Sequence, residues 1–284
     1  MSFIVIKTSE DLRYLDQELV TKKFIGIDTE FRRTSKENIR LSLIQINDNH
    51  ETYLIDCLSI GEYQNNATFL FSKNVNKIFH SFREDFEAIY SWTKKWPKNI
   101  FDTQLANAFL GGKFSVGYKE LVLDRLEVAV DKHETRSNWI KRPLTDSQLS
   151  YAASDVEFLI QLFEYQSNEL DYAKKLDWFY EQQLINQRIF FSNNTEKNEI
   201  TLKKINKDKE KNLFKHLNKS INSVAKDLKI NPTLLFSKRD QKYFVLTALS
   251  HDLNTAFKGL PSWKRKVLSS TLKSIVLQKN IEGK

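Results

Sequence analysis

The sequence predicts an α/β domain followed by a smaller all-α domain. Over most of the chain, short segments rich in Ile, Leu, Phe and Tyr alternate with helical patterns, which is typical of a sheet flanked by helices. After the polar, unpatterned segment 192–199, apolar residues recur only at three- and four-residue steps, for example at Leu213 and Leu217. We therefore predict domains over residues 1–191 and 200–284, joined by this linker.

The predicted strands of the first domain are short and apolar. In chain order they are FIVIK, FIGIDTEF, IRLSLIQIN, ETYLIDC, NKIFHSF and the beginning of NIFDTQLANAFLGG. The tripeptide DNH between the third and fourth segments predicts a hairpin turn.

Two capping boxes predict where helices begin. Ser81 and Glu84 form an S-x-x-E pattern, and Thr145 and Gln148 form a T-x-x-Q pattern. The second box opens a long predicted helix over residues 146–166, DSQLSYAASDVEFLIQLFEYQ.

The composition excludes a disulfide-rich or membrane-spanning chain. Of the 284 residues 40% are apolar, which suffices for a proper core, and Cys57 is the only cysteine. No apolar run reaches the length of a membrane span or a signal-peptide core. We expect a soluble, cytoplasmic protein.

The charge is unevenly distributed. Residues 1–200 carry 25 Lys and Arg against 30 Asp and Glu, a net charge of −5, whereas residues 201–284 carry 19 against 6, a net charge of +13. A basic module favours a polyanionic partner such as RNA or DNA. The alternative is a Lys-rich solvated surface.

The segment FIGIDTEF places two carboxylates in an apolar strand. Asp28 and Glu30 are two residues apart, so both side chains point to the same face of the strand. D-x-E occurs often by chance as surface charge, but the apolar flanks argue against an ordinary solvated strand.

Asp85, Tyr151 and Asp155 are further candidates. Asp85 lies in the first turn of a predicted helix, where an acid is favourable without any function. Tyr151 and Asp155 are four residues apart and share one helix face, which is consistent either with a site or with a hydrogen bond that only fixes packing.

Four carboxylates at one site would repel each other strongly. Two unit charges about 4 Å apart repel by roughly 4 kcal/mol at an effective dielectric constant of about 20. No basic residue belongs to the predicted set. Two divalent ions, Mg²⁺ or Mn²⁺, would balance the charge, and oxygen ligands suit these ions better than zinc. A two-metal site is typical of phosphodiester hydrolysis.

The order and surroundings of these residues resemble ribonuclease D, a 3′→5′ exonuclease of the DEDD superfamily. The similarity covers roughly residues 1–190 and rests on GIDTEFRRT, SLIQI, HSFREDFEAI, FDTQLANAFLG, VGYKELV, TRSNWIKRPLTDSQLSYAASDVEFL and LDWFYEQ. This resemblance implies a ribonuclease H-like mixed sheet flanked by helices.

The resemblance also implies roles for individual residues. The metal ligands fall on Asp28, Glu30, Asp85 and Asp155, and Tyr151 falls on the tyrosine that defines the DEDDy branch. We expect Tyr151 to orient the attacking water, because a phenol is mostly protonated at neutral pH.

Other residues of the first domain are candidates for substrate contact. Phe31 could stack on a terminal base, and Trp139 and Arg142 could contact the RNA backbone, although the two aromatic residues suit core packing equally well. His80 is interpreted as a packed or capping histidine, with substrate contact as the alternative. Asp102 is interpreted as a structural helix cap.

The second domain resembles the helical HRDC domains of this family, which help to hold RNA. Its segment LPSWKRKVL contains Lys264 and Arg265, which we take as candidates for substrate binding. The residues after the linker suffice for one such domain.

The resemblance implies a metal-dependent 3′→5′ exoribonuclease that releases nucleoside 5′-monophosphates, with tRNA precursors as the expected substrate. We expect a monomer, although the sequence does not reveal the oligomeric state. The alternatives are a 3′→5′ DNA exonuclease of the same superfamily and a catalytically dead RNA-binding adaptor. The presence of all five motif residues argues against the adaptor.

Overall fold

The computed structural model describes residues 2–35, 38–130, 137–192 and 207–281, with residues 207–209 and 275–281 described as backbone only. The chain divides into two compact units. The first unit comprises Met1–Gln104 and Val116–Asn168, and the second comprises Leu105–Ser115 and Glu169–Lys284. Residues 169–192 thus belong to the second unit by packing. The predicted domain limits at 191 and 200 stay a prediction, since the linker lies almost wholly outside the described residues.

The first unit is built on a six-stranded mixed sheet. Its strands are β1 (Ile4–Ile6), β2 (Phe24–Arg33), β3 (Ile39–Asn47), β4 (Thr52–Asp56), β5 (Asn76–Phe79) and β6 (Ile100–Asp102). The spatial order is β1-β4-β3-β2-β5-β6. The strands β4, β3 and β2 are antiparallel neighbours, whereas β1, β5 and β6 join by parallel pairing. The predicted α/β class and the hairpin between β3 and β4 are confirmed.

In the part of the chain that the structure describes, seven helices accompany the sheet strands: α1 (Ser9–Leu19), α2 (Cys57–Ile60), α3 (Arg83–Thr93), α4 (Thr103–Phe109), α5 (Tyr118–Leu126), α6 (Asp146–Ser154) and α7 (Leu159–Tyr172). The second unit continues with α8 (Leu176–Phe191), α9 (Lys207–Asp227), α10 (Pro232–Phe236), α11 (Lys238–Ser250), α12 (Leu253–Lys258) and α13 (Ser262–Ile281). Among the described residues no helix is both long enough and apolar enough to cross a bilayer.

One of the two predicted capping boxes is confirmed. Thr145 accepts a hydrogen bond from the Gln148 backbone, and the Gln148 side chain bonds back to the Thr145 backbone. The box at Ser81 is wrong, because Ser81 has a left-handed backbone (φ 68°) and α3 begins only at Arg83. The Ser81 N–H instead donates to the Asp102 carboxylate (3.1 Å).

The helix predicted over 146–166 is two helices. Turns from Asp155 to Phe158 separate α6 from α7. The Phe158 N–H donates to the hydroxyl of Tyr118 (3.0 Å) rather than to a carbonyl of its own helix. A side chain inserted into the hydrogen-bond ladder interrupts a helix. The apolar pattern of the segment could not reveal this, because Tyr118 lies 40 positions away.

The second unit packs around Trp263. This side chain is fully buried and lies against Phe109 (ring centroids 5.1 Å apart) and Trp178 (5.9 Å). Lys175 donates to the backbone carbonyls of Phe109 and Lys229, both at 2.9 Å. These contacts explain why residues around Phe109, predicted as part of the first domain, pack with the helical unit.

Close contact between the sheet and the α6–α7 break depends on a glycine. A Cβ added to Gly26 on β2 would lie 2.8 Å from Leu159 Cβ and 3.3 Å from the Val156 carbonyl oxygen. Gly26 therefore allows the backbone at the start of α7 to lie against the central strand.

We expect Gly26→Ala to lower the free energy of unfolding by about 1–3 kcal/mol, because overpacking forces the helix off the strand. Chemical denaturation measures this loss. Gly259→Ala is the control, since its Cβ would meet only ordinary contact at 3.7 Å. Equal stability of the Gly26 variant and wild type would contradict the proposed close contact.

Candidate metal centre

Strand β2 brings the first two predicted carboxylates to one face of the sheet. Asp28 lies opposite Gln45 on β3, and Glu30 lies opposite Leu43, so all four side chains share that face. The register shifts between Glu30 and Phe31, which marks a β-bulge just after the pair.

Helix α6 delivers Tyr151 and Asp155 to the same face. Ala152 and Ala153 are fully buried and pack with Leu43 and Leu54 of the sheet, so their small side chains let this helix approach the sheet closely. Asp155 caps the C-terminus of α6, and after burial its charge is the main cause that raises the pKa of the Tyr151 phenol, so the two side chains interact.

Three of the four predicted metal ligands form a compact group. One carboxylate oxygen each from Asp28, Glu30 and Asp155 lies within 4.8 Å of the others. This spacing suits a shared cation, and an all-carboxylate donor set suits Mg²⁺ or Mn²⁺.

Asp85 lies beside this group rather than within it. Only 6% of the residue is exposed, and its carboxylate accepts a hydrogen bond from the Thr29 hydroxyl (2.7 Å). Thr29, between the two carboxylates of β2, was not predicted to take part. The Asp85 charge raises the pKa of Asp28 and of Glu30, so the four acids interact electrostatically.

A basic residue, absent from the predicted set, lies beside the acidic group. Lys119 of α5 places Nζ 3.3 Å from Asp155 Oδ1 and 4.0 Å from the centroid of the Tyr151 ring. Its charge lowers the pKa of Asp155 and of Glu30, against the larger effect of burial. The motif VGYKELV contains this lysine, but the lysine lies more than 30 residues from its partners in the sequence.

The four acids of the site resist ionisation, and mutual repulsion adds to the effect of burial on the pKa at Asp28 and Glu30. Burial is the largest cause in each case: it raises the pKa of Glu30 to about 9 and that of Asp85 to about 7. The pKa of Asp28 lies well above its usual value, and that of Asp155 is raised. Acids that resist ionisation at neutral pH need a strong positive charge nearby in order to ionise, and a divalent metal ion would supply that charge.

Gln45 adds a further buried polar group next to Asp28. The residue is fully buried, and neither amide atom has a hydrogen-bond partner among the described residues. Buried amides usually have partners, including ordered water.

Two predicted substrate residues of the first unit, His80 and Trp139, make internal contacts. The ring nitrogens of His80 lie 2.8 Å from Thr103 Oγ1 and 2.8 Å from the Val116 carbonyl oxygen. Trp139 is buried and packs 6.1 Å from the Tyr151 ring.

Arg142 binds Asp56 through two nitrogens, at 2.8 and 2.7 Å, and also contacts the Trp139 carbonyl (2.8 Å). These bonds correct the interpretation of Arg142 as a free phosphate contact, because its guanidinium is already used to hold the segment before α6. Asp102 caps α4 as predicted, accepting from the Gln104 N–H (2.9 Å).

The remaining substrate candidates differ in exposure. Phe31 is partly exposed and lies near Arg33, whose Cζ is 5.6 Å from the ring centroid. In the second unit Arg265 is exposed, whereas Lys264 is 7% exposed and burial lowers its pKa to about 8. Lys264 is therefore corrected to a core position.

Removing metal should make stability depend on pH. Because the pKa of folded Glu30 is about 9 against a usual 4.5, its protonated form stabilises the metal-free fold at low pH, and this contribution is lost as pH rises toward 9. We expect the melting temperature in chelator to fall between about pH 5 and pH 9, and Mg²⁺ to restore more of it at the alkaline end.

Glu30→Gln is the control for this pH dependence, since the amide does not titrate. The variant should show a flatter profile in chelator. Superimposable profiles of wild type and variant would contradict the raised pKa.

Arg142→Lys should lower the free energy of unfolding by about 2 kcal/mol, because an ammonium group cannot replace the two-point contact with Asp56. Chemical denaturation tests this, with Arg13→Lys on the exposed face of α1 as the matched control. Unchanged stability combined with weaker RNA binding would instead restore Arg142 as a substrate contact.

Comparison with known proteins agrees with this geometry. A protein-family model described as 3′-5′ exonuclease matches residues 3–171. Ribonuclease D of Desulfotalea psychrophila is 40% identical over 157 residues, which are 55% of this chain and 42% of that protein. Ribonuclease D of Pseudomonas paraeruginosa is 37% identical over 158 residues, 56% of this chain and 42% of that protein. The matched region thus spans less than half the length of these curated relatives.

Among solved structures, Escherichia coli RNase D superposes with a TM-score of 0.63 at 24% identity, covering 98% of this chain and 75% of that one. This is a likeness of fold. The resemblance to ribonuclease D is confirmed, and because the family model matches more than half of the chain, the chain belongs to the 3′-5′ exonuclease family.

Proposed function

We propose that the protein is a metal-dependent 3′→5′ exoribonuclease that removes nucleoside 5′-monophosphates from RNA ends. The observation that carries this proposal is the group of three carboxylate oxygens from Asp28, Glu30 and Asp155 within 4.8 Å. The family match and the ribonuclease D relatives support the reaction type.

Asp28, Glu30 and Asp155 would hold divalent metal, with Asp85 beside them as the fourth acid. Two ions of Mg²⁺ or Mn²⁺, when bound, would stabilise the attacking and leaving oxygens of a phosphodiester. The raised pKa values of these acids support the need for such charge.

Tyr151 would orient the attacking water. Burial and the nearby Asp155 raise the pKa of its phenol above the usual value, so the hydroxyl stays protonated at neutral pH and donates a hydrogen bond rather than removing a proton. The Lys119 ammonium over its ring and the packing against Trp139 restrict where that hydroxyl can lie.

RNA is the proposed substrate, with tRNA precursors as its physiological form. The net charge of +13 on residues 201–284 supports a polyanion bound by the HRDC-like helical part, and the exposed Arg265 is a candidate contact. Phe31 stays a candidate for stacking on a terminal base. We further propose that the protein is a monomer located in the cytoplasm.

Purified protein should shorten 5′-labelled RNA from its 3′ end in Mg²⁺ or Mn²⁺ and stop when chelator is added, because the carboxylates need cations to act. Matched DNA and RNA with a blocked 3′ end are the comparison substrates. We expect Asp28→Asn to abolish turnover and Tyr151→Phe to lower it roughly 100-fold.

Asp124→Asn, an exposed acid on α5, is the control and should retain full activity. An inactive wild type that still binds RNA would favour the adaptor, and faster cleavage of DNA would favour a DNA exonuclease. Unchanged turnover in Tyr151→Phe would reject the proposed role of the phenol.

A further inference from the structure

The break between α6 and α7 occurs directly at Asp155. In an unbroken helix the Ser154 carbonyl would accept the Phe158 N–H. Instead the Tyr118 hydroxyl stands between them, donating to the Ser154 oxygen (3.2 Å) and accepting from the Phe158 nitrogen (3.0 Å). The Tyr118 phenol therefore replaces one backbone hydrogen bond of the helix. Its two partners, Ser154 and Phe158, flank the segment 155–157, which begins with Asp155.

We propose that Tyr118 is a positioning residue, which sets the backbone at Asp155 so that its carboxylate meets those of Asp28 and Glu30. This inference rests on the proposed function of that group as a metal centre. The inserted hydroxyl replaces a single hydrogen bond by two in series, and this opens the helix at the residue that carries the carboxylate.

The opposite side of the break is held by the sheet. Leu159, the first residue of α7, lies against the Cα of Gly26, and the Val156 carbonyl lies there too. The four residues from Asp155 to Phe158 are thus confined between β2 and the phenol of Tyr118.

Tyr118 is itself held in place. Its ring meets that of His80 edge-on, with centroids 6.0 Å apart, and both His80 ring nitrogens are bonded to Thr103 and Val116. Burial is the largest cause that raises the pKa of the Tyr118 phenol well above its usual value, so the hydroxyl keeps the proton it donates. His80, interpreted from the sequence as a packed or capping histidine with substrate contact as the alternative, thus helps to hold Tyr118 in place.

The first turn of α5 contacts the site twice. Tyr118 acts on the backbone beside Asp155, and the next residue, Lys119, places its ammonium 3.3 Å from the Asp155 carboxylate. A ligand whose backbone and side chain are both fixed from one helix is preorganised, and supporting contacts of this kind typically change metal affinity by roughly 10–100-fold when lost.

Tyr118→Phe tests the proposal, because it removes only the hydroxyl. Mn²⁺ binding to the protein free of nucleic acid, measured by calorimetry, should weaken at least roughly tenfold. Tyr53→Phe is the matched control: Tyr53 also donates one hydrogen bond, to Glu18 (3.4 Å), and its loss should leave Mn²⁺ affinity unchanged. A Tyr118→Phe protein with wild-type Mn²⁺ affinity and only a lower melting temperature would overturn the proposal.

Amide hydrogen exchange on the metal-free protein gives a second measurement. Exchange at Asp155 to Phe158 should change in Tyr118→Phe and not in Tyr53→Phe, whether or not metal binds. If the wild type binds no Mn²⁺, the proposed metal centre fails, while unchanged exchange at these amides would refute the insertion itself.

Replacement of Tyr118 by 4-aminophenylalanine keeps the ring and the donor to Ser154. This variant should bind Mn²⁺ more tightly than Tyr118→Phe but less tightly than wild type, because it keeps the donor and is a poorer acceptor; a folded variant that binds no better than Tyr118→Phe would count against the proposal. Should Tyr118→Phe not fold, the amino variant, a poorer acceptor, should still show altered exchange at Phe158 together with weaker Mn²⁺ binding. Wild-type affinity alongside altered exchange would then overturn the positioning role.

Discussion

Crowding of buried carboxylates is the constraint on which the first unit depends. Asp28, Glu30 and Asp155 bring oxygens within 4.8 Å of one another, where burial and repulsion both oppose ionisation. Such a group persists only if the surrounding fold holds it, because side chains free to move would separate. The central strand, the small residues of α6 and the first turn of α5 together provide that restraint.

The supporting residues act mainly through the backbone of neighbouring segments. Arg142 binds Asp56 and the Trp139 carbonyl, which holds the segment that leads into α6. Asp102 accepts from the Ser81 N–H at the start of α3, the helix that carries Asp85. Several residues that suggest RNA contact by their charge or aromatic character therefore make internal contacts around the site, which leaves the partly exposed Phe31 and the exposed Arg265 as the proposed candidates for RNA contact.

Much of the fold was predictable because its signals are local. The apolar segments of β2 and β3, the Thr145 capping box and the four-residue spacing of Tyr151 and Asp155 each depend on neighbours in the chain. The predicted capping box at Ser81 fails because of a residue distant in the sequence: the Asp102 carboxylate of β6 accepts a hydrogen bond from the Ser81 N–H. The packing of residues 105–115 with the second unit has the same kind of cause, because a distant lysine, Lys175, bonds the Phe109 carbonyl.

Strand and helix periodicity fix the direction of a side chain within its own element, so the sequence alone predicts the carboxylates, the tyrosine and the faces on which they lie. Three further contacts depend on the packing of distant segments: Lys119 neutralises part of the group, Thr29 bonds Asp85, and Tyr118 opens the helix at Asp155. Each of these contacts joins residues more than 30 positions apart. Their geometry follows from the packing of α3 on β2, of α6 on β3 and β4, and of the first turn of α5 beside Asp155, which no local pattern specifies.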